Sequence, residues 1–216
     1  MKLKVCGMKY QDNIVEVAKL QPDYLGFIFY KKSPRFFGGP MPQLPDSIKK
    51  VGVFVNASIK DIIEKIKKYN LDVIQLHGEE SPEFCLECHA ELVSASHSVE
   101  IIKVFSIKDN FNFDSLKPYE SVCDYYLFDT KGKLPGGNGY TFNWEVLKDN
   151  PSTKPFFLSG GISLEETRNV LSFLRTQESK YCHAIDINSK FEIEPGLKNI
   201  KLLKEFKHKL SLRGMK

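Results

Sequence analysis

The sequence VGVFVNASIKDIIEKIKKYNLDVIQLH occupies residues 51–77 and decides the fold. It begins with a short β-branched and aromatic run, VGVFV (51–55), and ends with a second apolar run, DVIQLH (72–77). Between them, SIKDIIEKIKKY (58–69) carries isoleucines three and four residues apart, which is typical of an amphipathic helix. A strand, a helix and another strand in this order predict a βαβ unit with parallel strands.

The same alternation recurs along the whole chain. Eight short apolar runs are candidate strands: 3–7, 24–29, 51–55, 72–77, 100–105, 124–129, 155–160 and 183–188. Five segments with helical spacing of apolar residues lie between or after them: 11–20, 58–69, 81–92, 163–175 and 197–210. Less regular stretches fill the remaining connections: 40–49, 108–119 and 142–149. Continuous apolar strands that alternate with helices indicate parallel strands buried on both faces.

Eight such units are the number needed to close a (β/α)8 barrel, a fold whose size begins at about 200 residues. The chain has 216 residues, enough for one substantial core. We therefore predict an α/β protein with a single TIM barrel domain over residues 1–216. The alternative is an open doubly wound sheet, which is disfavoured because no strand is followed by a G-x-G-x-x-G turn with a suitably placed acidic residue.

The composition is that of an ordinary globular protein, with 42% hydrophobic and 27% charged residues. The net charge of +4 is small and the basic residues are scattered, so we expect no nucleic-acid partner. No apolar run approaches the ~20 residues of a membrane span, and no export signal opens the sequence. We expect a cytoplasmic protein without a membrane partner, in which the five cysteines are free thiols. We expect a monomer, with a homodimer as the alternative.

The active site of a (β/α)8 barrel lies at the C-terminal ends of its strands. Polar and small residues at those positions are the candidate site: Cys6, Arg35, Asn56, Gln75, His77, Asp129, 159–161 and 186–189.

Two loops among these predict a phosphate site. Gly160 and Gly161 run into SLEE (163–166), whose spacing matches a helix capping box, so loop N–H groups and a positive helix end would meet there. Asn188 and Ser189 follow the last strand, and the loops after strands 7 and 8 are the usual phosphate corner of this fold. The alternative is that the glycines only make a tight turn.

Two residues are candidates for proton transfer. Cys6 lies two residues after Lys4 on the same strand face, where an ammonium would favour the thiolate, although a lone cysteine is often only a small buried hydrophobe. Asp129 follows four apolar or aromatic residues, and partial burial would favour its protonated form, although it could equally cap the next loop. A base and an acid beside a phosphate pocket suit proton transfer on a phosphorylated sugar.

The segment CLECH (85–89) matches the C-x-x-C-H pattern of covalent haem attachment, and with His77 it could suggest zinc. Its cysteines instead recur with Phe84 and Leu92 on the apolar face of a helix, and no second ligand pair follows. We interpret the cysteines as core residues and expect no metal.

Several markers appear in order along the chain: KVCGMK, LGFIFYKKSPR, VGVFVN, IQLHGEESPEF, LFDTK…PGGNGYTFNW, LSGGIS and IDINSKFE…PG. In this set the sequence resembles the phosphoribosylanthranilate isomerase family over nearly its whole length. The resemblance implies a cofactor-free and metal-free Amadori rearrangement of N-(5-phosphoribosyl)anthranilate in tryptophan biosynthesis.

The resemblance also implies roles for individual residues. Asp129 would be the general acid and Cys6 the base, and Arg35 would hold the anthranilate carboxylate. His77 and Asp186 would contact the substrate. The phosphate would be bound by four residues: Gly160, Gly161, Asn188 and Ser189. The glycine-rich stretch 135–139 would close near the site.

The sequence departs from the family pattern at three places. Met8 stands where threonine is more usual, and Asn188–Lys190 replaces a serine-serine-glycine run. Residues 89–99 look like a surface insertion. Other functions stay open on these residues: another phosphosugar barrel, an inactive barrel that serves as a binding subunit, or a thiol redox protein.

Overall fold

The computed structural model describes residues 1–94, 98–108, 110–130 and 143–212. Eight parallel strands pair in chain order, and the pairing of the last with the first closes the barrel. The strands are β1 (Lys2–Val5), β2 (Tyr24–Ile28), β3 (Lys49–Phe54), β4 (Val73–Leu76), β5 (Glu100–Ile107), β6 (Tyr125–Thr130), β7 (Phe156–Leu158) and β8 (Cys182–Ile187). The predicted barrel and its closure are confirmed.

Helices cover the outside of the barrel. They are α1 (Gln11–Lys19), α2 (Ile59–Tyr69), α3 (Pro82–Ser94), α4 (Thr167–Phe173) and α5 (Ile200–Ser211). In the part of the chain that the structure describes, four 3₁₀ helices lie in other connections: Phe113–Tyr119, Trp144–Asp149, Gln177–Ser179 and Ser189–Phe191. The helix at the decisive stretch, α2, begins after Ser58, whose hydroxyl accepts a hydrogen bond from the Asp61 N–H.

The predicted capping box of α4 is wrong. The helix begins at Thr167, and the residue before it, Glu166, is already in the right-handed helical conformation and makes no side-chain cap. The helix therefore starts later than the sequence pattern indicated.

Two apolar cores follow from the alternation of side chains along each strand. One fills the barrel interior, and the other lies between the strands and the helices. The interior core consists of Tyr24, Val51, Val73, Ile102, Val104, Leu127, Phe157 and Ala184. Two residues beyond Leu127 and Ala184, the same strand faces carry Asp129 and Asp186. Because every second side chain of a strand points into the barrel, these carboxylates also point inward, at the C-terminal mouth.

A short antiparallel hairpin, which the sequence did not predict, connects β8 to α5. Its strands are β9 (Glu192–Glu194) and β10 (Leu197–Lys198). Asn13 of α1 fastens it, because its Nδ2 donates to the Lys198 carbonyl at 2.9 Å and its Oδ1 accepts from the Lys198 N–H at 2.7 Å. The hairpin is therefore held against the first helix of the barrel.

The cysteines of the CLECH segment are core residues, as predicted. Cys85 and Cys88 lie on the buried face of α3, where burial raises the pKa of Cys85 to about 11 and that of Cys88 to about 12. Part of the insertion expected at 89–99 falls outside the described residues, so it stays a prediction. None of the helices within the described ranges has the length and apolar composition needed to cross a membrane.

Candidate active site

A pocket of about 740 Å³ opens at the C-terminal mouth of the barrel. All nine residues expected at the site line it: Cys6, Arg35, His77, Asp129, Gly160, Gly161, Asp186, Asn188 and Ser189. Asn56, also a strand-end candidate, is absent from this lining, and its side-chain oxygen instead accepts from the Glu79 N–H at 2.7 Å.

Cys6 lies just beyond β1 with its side chain buried. Burial raises the pKa of its thiol above the ordinary value of 9.0, while the ammonium groups of Lys4 and Lys198 act to lower it and Asp186 adds to the rise. Lys4 thus acts in the predicted direction, toward the thiolate, but the pKa of the thiol is raised on balance. Desolvation of the thiolate outweighs the attraction of the lysines.

A buried ion pair lies one layer below the thiol. The Nζ atom of Lys4 is 2.8 Å from Oδ2 of Asp186, and both side chains are almost fully buried. Burial alone would lower the pKa of Lys4, but the neighbouring Asp186 and Cys6 raise it above 10.5. Burial also raises the pKa of Asp186, against the influence of Lys4. The other oxygen of Asp186, Oδ1, is buried with no hydrogen-bond partner in the described part of the chain.

Asp129 lies across the mouth, near the end of β6. Its Oδ1 accepts from the Thr130 N–H at 3.0 Å, and its Oδ2 is 3.5 Å from Nε2 of His77. The other ring nitrogen, Nδ1, lies 3.2 Å from the side-chain nitrogen of Gln75. If that amide donates, Nδ1 is the acceptor and Nε2 carries its hydrogen toward Asp129. Gln75 also lines the pocket. The sequence placed it at a strand end without predicting a role, although residues two apart, such as Gln75 and His77, share one strand face.

A second buried ion pair fixes the loop after β4. The Glu80 carboxylate lies 3.0 Å from Nζ of Lys103 and accepts from the N–H groups of Asn56 and Gly78 at 2.8 and 2.9 Å. This pair is outside the pocket lining. It holds the backbone that follows His77 and thereby helps to position the imidazole.

The predicted phosphate corner comprises two loops. Gly160 and Gly161 follow β7 with φ angles of +94° and +64°, in the left-handed region. A Cβ at Gly160 would overlap the hydroxyl and the backbone nitrogen of Thr130, so only glycine fits there. Because α4 begins at Thr167, the capped helix end expected beside the glycines is absent there.

The loop after β8 completes this corner. Ser189 begins a 3₁₀ turn, Ser189–Phe191, and Lys190 also lines the pocket. The Lys190 ammonium adds a positive charge at a position whose contribution the sequence left open.

Arg35 also lines the pocket, and its guanidinium already binds an acidic partner. Its Nε and Nη2 atoms donate to the Glu192 carboxylate at 2.9 and 2.7 Å. That carboxylate is also 2.7 Å from Nζ of Lys198. Burial alone would raise the pKa of Glu192, but Arg35 and Lys198 together lower it. Sequence reasoning missed Glu192 and Lys198. The one available signal was that Glu192 is part of the marker IDINSKFE…PG.

The predicted closing loop, 135–139, lies outside the described residues. Within them, the pocket combines a thiol, a carboxyl group, a guanidinium and a glycine-lined corner. Such a set can bind a ligand that carries a phosphate and a carboxylate, and it can transfer protons to and from that ligand.

Comparisons with known proteins agree with this geometry. The family model described as N-(5'phosphoribosyl)anthranilate (PRA) isomerase matches residues 3–209. The N-(5'-phosphoribosyl)anthranilate isomerase of Parabacteroides distasonis is 44% identical over 95% of this chain and 91% of that protein.

Solved structures are similar as well. Phosphoribosyl anthranilate isomerase from Thermotoga maritima superposes with a TM-score of 0.80 at 26% identity, covering 98% of both chains. A phosphoribosyl anthranilate isomerase in complex with reduced 1-(o-carboxyphenylamino)-1-deoxyribulose 5-phosphate gives a TM-score of 0.75 at 25% identity, covering 95% of this chain and 96% of that one.

Proposed function

The chain belongs to the N-(5'-phosphoribosyl)anthranilate isomerase family, and from this premise we propose how its pocket performs the reaction. The protein is an aldose–ketose isomerase of tryptophan biosynthesis. It converts N-(5-phosphoribosyl)anthranilate into 1-(2-carboxyphenylamino)-1-deoxyribulose 5-phosphate by an Amadori rearrangement. The observation that supports the proposed mechanism is that Cys6 and Asp129 line one pocket together with a glycine-lined anion corner and Arg35.

Asp129 acts as the general acid in the first step. It donates its proton to the ribose ring oxygen while the bond from C1 to that oxygen breaks. The lone pair of the anilino nitrogen forms the C1–N double bond, which gives a cationic Schiff base. His77, 3.5 Å from Asp129, holds the acid in place and contacts the opened sugar.

Cys6 acts as the general base in the second step. The thiolate removes the proton from C2, the C–H electron pair forms a C1–C2 double bond, and the π pair of the Schiff base returns to nitrogen. The resulting enolamine takes a proton at C1 and loses one from the C2 hydroxyl, which gives the ketone. The proton that Cys6 gains balances the one that Asp129 loses.

The raised pKa of Cys6 makes its activation part of the mechanism. The ammonium groups of Lys4 and Lys198 offset some of the cost of forming a buried thiolate. The cationic Schiff base next to the thiol supplies a further positive charge only when the base is needed. The thiol releases its proton to solvent as this charge forms, so its deprotonation is linked to the presence of the reacting intermediate.

The remaining residues bind the two anionic ends of the substrate. Arg35 binds the anthranilate carboxylate. Backbone and side-chain donors of four residues bind the phosphate: Gly160, Gly161, Asn188 and Ser189. The unpartnered Oδ1 of Asp186 accepts a hydrogen bond from a substrate hydroxyl. The working state is proposed to be a cytoplasmic monomer, and light scattering after gel filtration would separate it from the homodimer.

The reaction and its acid–base pair can be tested together by following the loss of phosphoribosylanthranilate fluorescence. We expect turnover by the wild type and a loss of roughly 10²- to 10⁴-fold or more in kcat for Cys6→Ala and for Asp129→Asn. Asp114→Asn, on the exposed surface, is the matched control and should keep full activity. All variants are first compared by circular dichroism and thermal unfolding.

The possible results differ in what they reject. Turnover that survives Cys6→Ala would keep the isomerase and move the base elsewhere. A folded wild type that binds the substrate without converting it would indicate an inactive binding barrel. No binding and no turnover would reject the function for this chain.

A further inference from the structure

Glu192 and Lys198 face each other across the β9–β10 hairpin, outside the pocket lining. Their side chains are 4% and 0% exposed, and Nζ of Lys198 lies 2.7 Å from Oε1 of Glu192. A buried ion pair is costly to form unless its remaining hydrogen-bonding capacity is used. The contacts of this pair therefore indicate what it holds in place.

Glu192 occupies one particular edge of the Arg35 guanidinium. Its Oε2 accepts from Nη2 at 2.7 Å and its Oε1 from Nε at 2.9 Å. A guanidinium can bind a carboxylate side-on, through Nε and Nη2, or end-on, through Nη1 and Nη2. The side-on edge is taken. None of the hydrogen bonds made among the described residues uses Nη1, so the end-on edge is the one left for a ligand in the pocket.

Lys198 donates its three ammonium hydrogens to Glu192 and Asn188. Besides Glu192, it donates to the side-chain oxygen of Asn188 at 2.7 Å and to the Asn188 carbonyl at 3.2 Å. Its own backbone is fastened to Asn13 by two hydrogen bonds. One buried ammonium thus fixes both the carboxylate that holds Arg35 and a residue of the phosphate corner.

Arg35 and Asn188 both lie against the backbone of Gly7. Its φ is +77°, and a Cβ there would lie 2.5 Å from Oδ1 of Asn188 and 2.8 Å from Cδ of Arg35. The two pocket residues therefore pack over a bare backbone position next to Cys6. The hairpin ion pair holds both of them, since Glu192 binds Arg35 and Lys198 binds Asn188.

We propose that Glu192 and Lys198 are positioning residues: Glu192 presents the end-on edge of Arg35 to the ring carboxylate of the substrate, and Lys198 fixes Asn188 at the phosphate. This inference rests on the proposed function. It adds that recognition of the carboxylate depends on a residue that does not touch the ligand.

The first test measures binding, not turnover. The probes are reduced 1-(o-carboxyphenylamino)-1-deoxyribulose 5-phosphate and the same compound without the ring carboxylate, each titrated by calorimetry. The wild type should prefer the carboxylated probe by roughly 10- to 100-fold, as expected for a charge-assisted hydrogen-bonded pair. In Glu192→Gln this preference should fall to threefold or less, while the affinity for the probe without the carboxylate changes little.

The control is Glu194→Gln, two residues along the same strand. Its carboxylate is exposed and accepts, among the described residues, the Tyr10 hydroxyl at 2.9 Å, so the preference should be unchanged. If Glu192→Gln does not fold, Glu192→Asp carries the test. It keeps the negative charge beside Lys198 but is one methylene too short to hold both guanidinium nitrogens, and the preference should again fall.

Lys198→Met tests the other half of the proposal. It should weaken both probes by a similar factor, because Asn188 is released at the phosphate end, and the preference for the carboxylate should persist because Glu192 still binds Arg35. If the two residues had only a structural role, every variant would bind both probes more weakly, and the Glu192 and Lys198 variants would not differ in their preference for the carboxylate.

The outcomes separate the inference from the function. A preference that persists in folded Glu192 variants overturns the role of Glu192, and unchanged affinities in Lys198→Met overturn that of Lys198. A wild type that binds both probes equally overturns only the claim that Arg35 recognises the ring carboxylate. A wild type that binds neither probe overturns the proposed function and this inference together.

Discussion

The two ends of the barrel are built from the same strands but treat their polar groups differently. At the N-terminal end, the Tyr24 hydroxyl bonds His183 at 2.8 Å, and Glu100 binds both Lys49 and the Tyr125 hydroxyl at 2.7 and 3.1 Å. At the C-terminal end, buried atoms lack hydrogen-bond partners among the described residues, and three of them line the pocket: Gln75 Oε1, His77 Nε2 and Asp186 Oδ1.

This difference separates stability from function. A buried polar atom without a partner costs free energy, so a protein keeps such atoms where a ligand will satisfy them. The N-terminal end, whose polar groups are paired, contributes stability without touching the substrate. Changes at the N-terminal end should therefore alter the unfolding free energy, and changes at the C-terminal end should alter kcat or KM.

The largest effect is expected between the two ends, at Lys4. Lys4→Met removes the partner of the buried Asp186 carboxylate and should cost about 3–5 kcal/mol of unfolding free energy. It should also lower kcat, because loss of the ammonium raises the pKa of Cys6 further. Denaturant unfolding and the fluorescence assay measure the two effects, with the exposed Lys2→Met as control. Full activity in Lys4→Met would assign this residue to stability alone.

Phe157→Ala should affect stability only. The Phe157 ring is fully buried in the interior core and contacts the rings of Tyr24, Tyr125 and His183 at 5.3–5.5 Å between centroids. The cavity should cost about 3–5 kcal/mol of unfolding free energy, while kcat at a temperature where the variant is folded stays within about twofold. Leu86→Ala, on the exposed face of α3, is the control. A large fall in kcat would show that the two ends are coupled.

Gly160→Ala should have a smaller effect, mainly on substrate binding. The added methyl group meets Thr130 and the backbone is in the left-handed region, so strain of about 1–3 kcal/mol should displace the phosphate corner. Steady-state kinetics should show a rise in KM that exceeds the fall in kcat. The control is Gly39→Ala, since a Cβ at Gly39 meets no atom within 4 Å. An unchanged KM would place the phosphate elsewhere.

The smallest effect is expected at His183 and appears as a pH dependence of stability. Burial lowers the pKa of His183 from 6.5 to about 4, with Lys2 adding to the decrease. Between pH 6.5 and 4 the unfolded chain binds a proton that the folded protein excludes, so the unfolding free energy falls as the pH falls through this window. His183→Gln should flatten this slope relative to wild type in urea unfolding at pH 7 and pH 5. The exposed His208→Gln should not, and an equal slope in all three proteins would contradict the assignment.

The fold could be predicted because it depends on local patterns. Parallel strands buried on both faces leave continuous apolar runs, and residues 51–77 show the repeating unit in full. The start of α4 was missed because the spacing of Ser163 and Glu166 matches a capping box, whereas the chain makes a turn before the helix begins at Thr167. The 3₁₀ turn at Ser189 and the hairpin after it are too short to leave a periodic pattern.

The candidate site was predictable to the extent that its residues stand at strand ends. What sequence reasoning missed depends on contacts between distant positions. Arg35 and Glu192 are 157 residues apart, so nothing local marks them as partners. The direction of the Cys6 pKa shift was also missed, because it depends on how deeply the thiol is buried, which only the closed barrel determines.

The pairing of β1 with β8 has a consequence for the synthesis of the chain. Lys4 and Asp186 are 182 positions apart, so the first strand to leave the ribosome waits for the last before its edge is covered. Contacts of such long sequence separation form slowly, and an apolar strand edge exposed in the meantime can associate with other chains. A nascent chain that has just completed β6 already contains Cys6 and Asp129, yet it has no barrel to bring them together. Translation of β8 is therefore the event after which the proposed proton-transfer groups can first share a pocket.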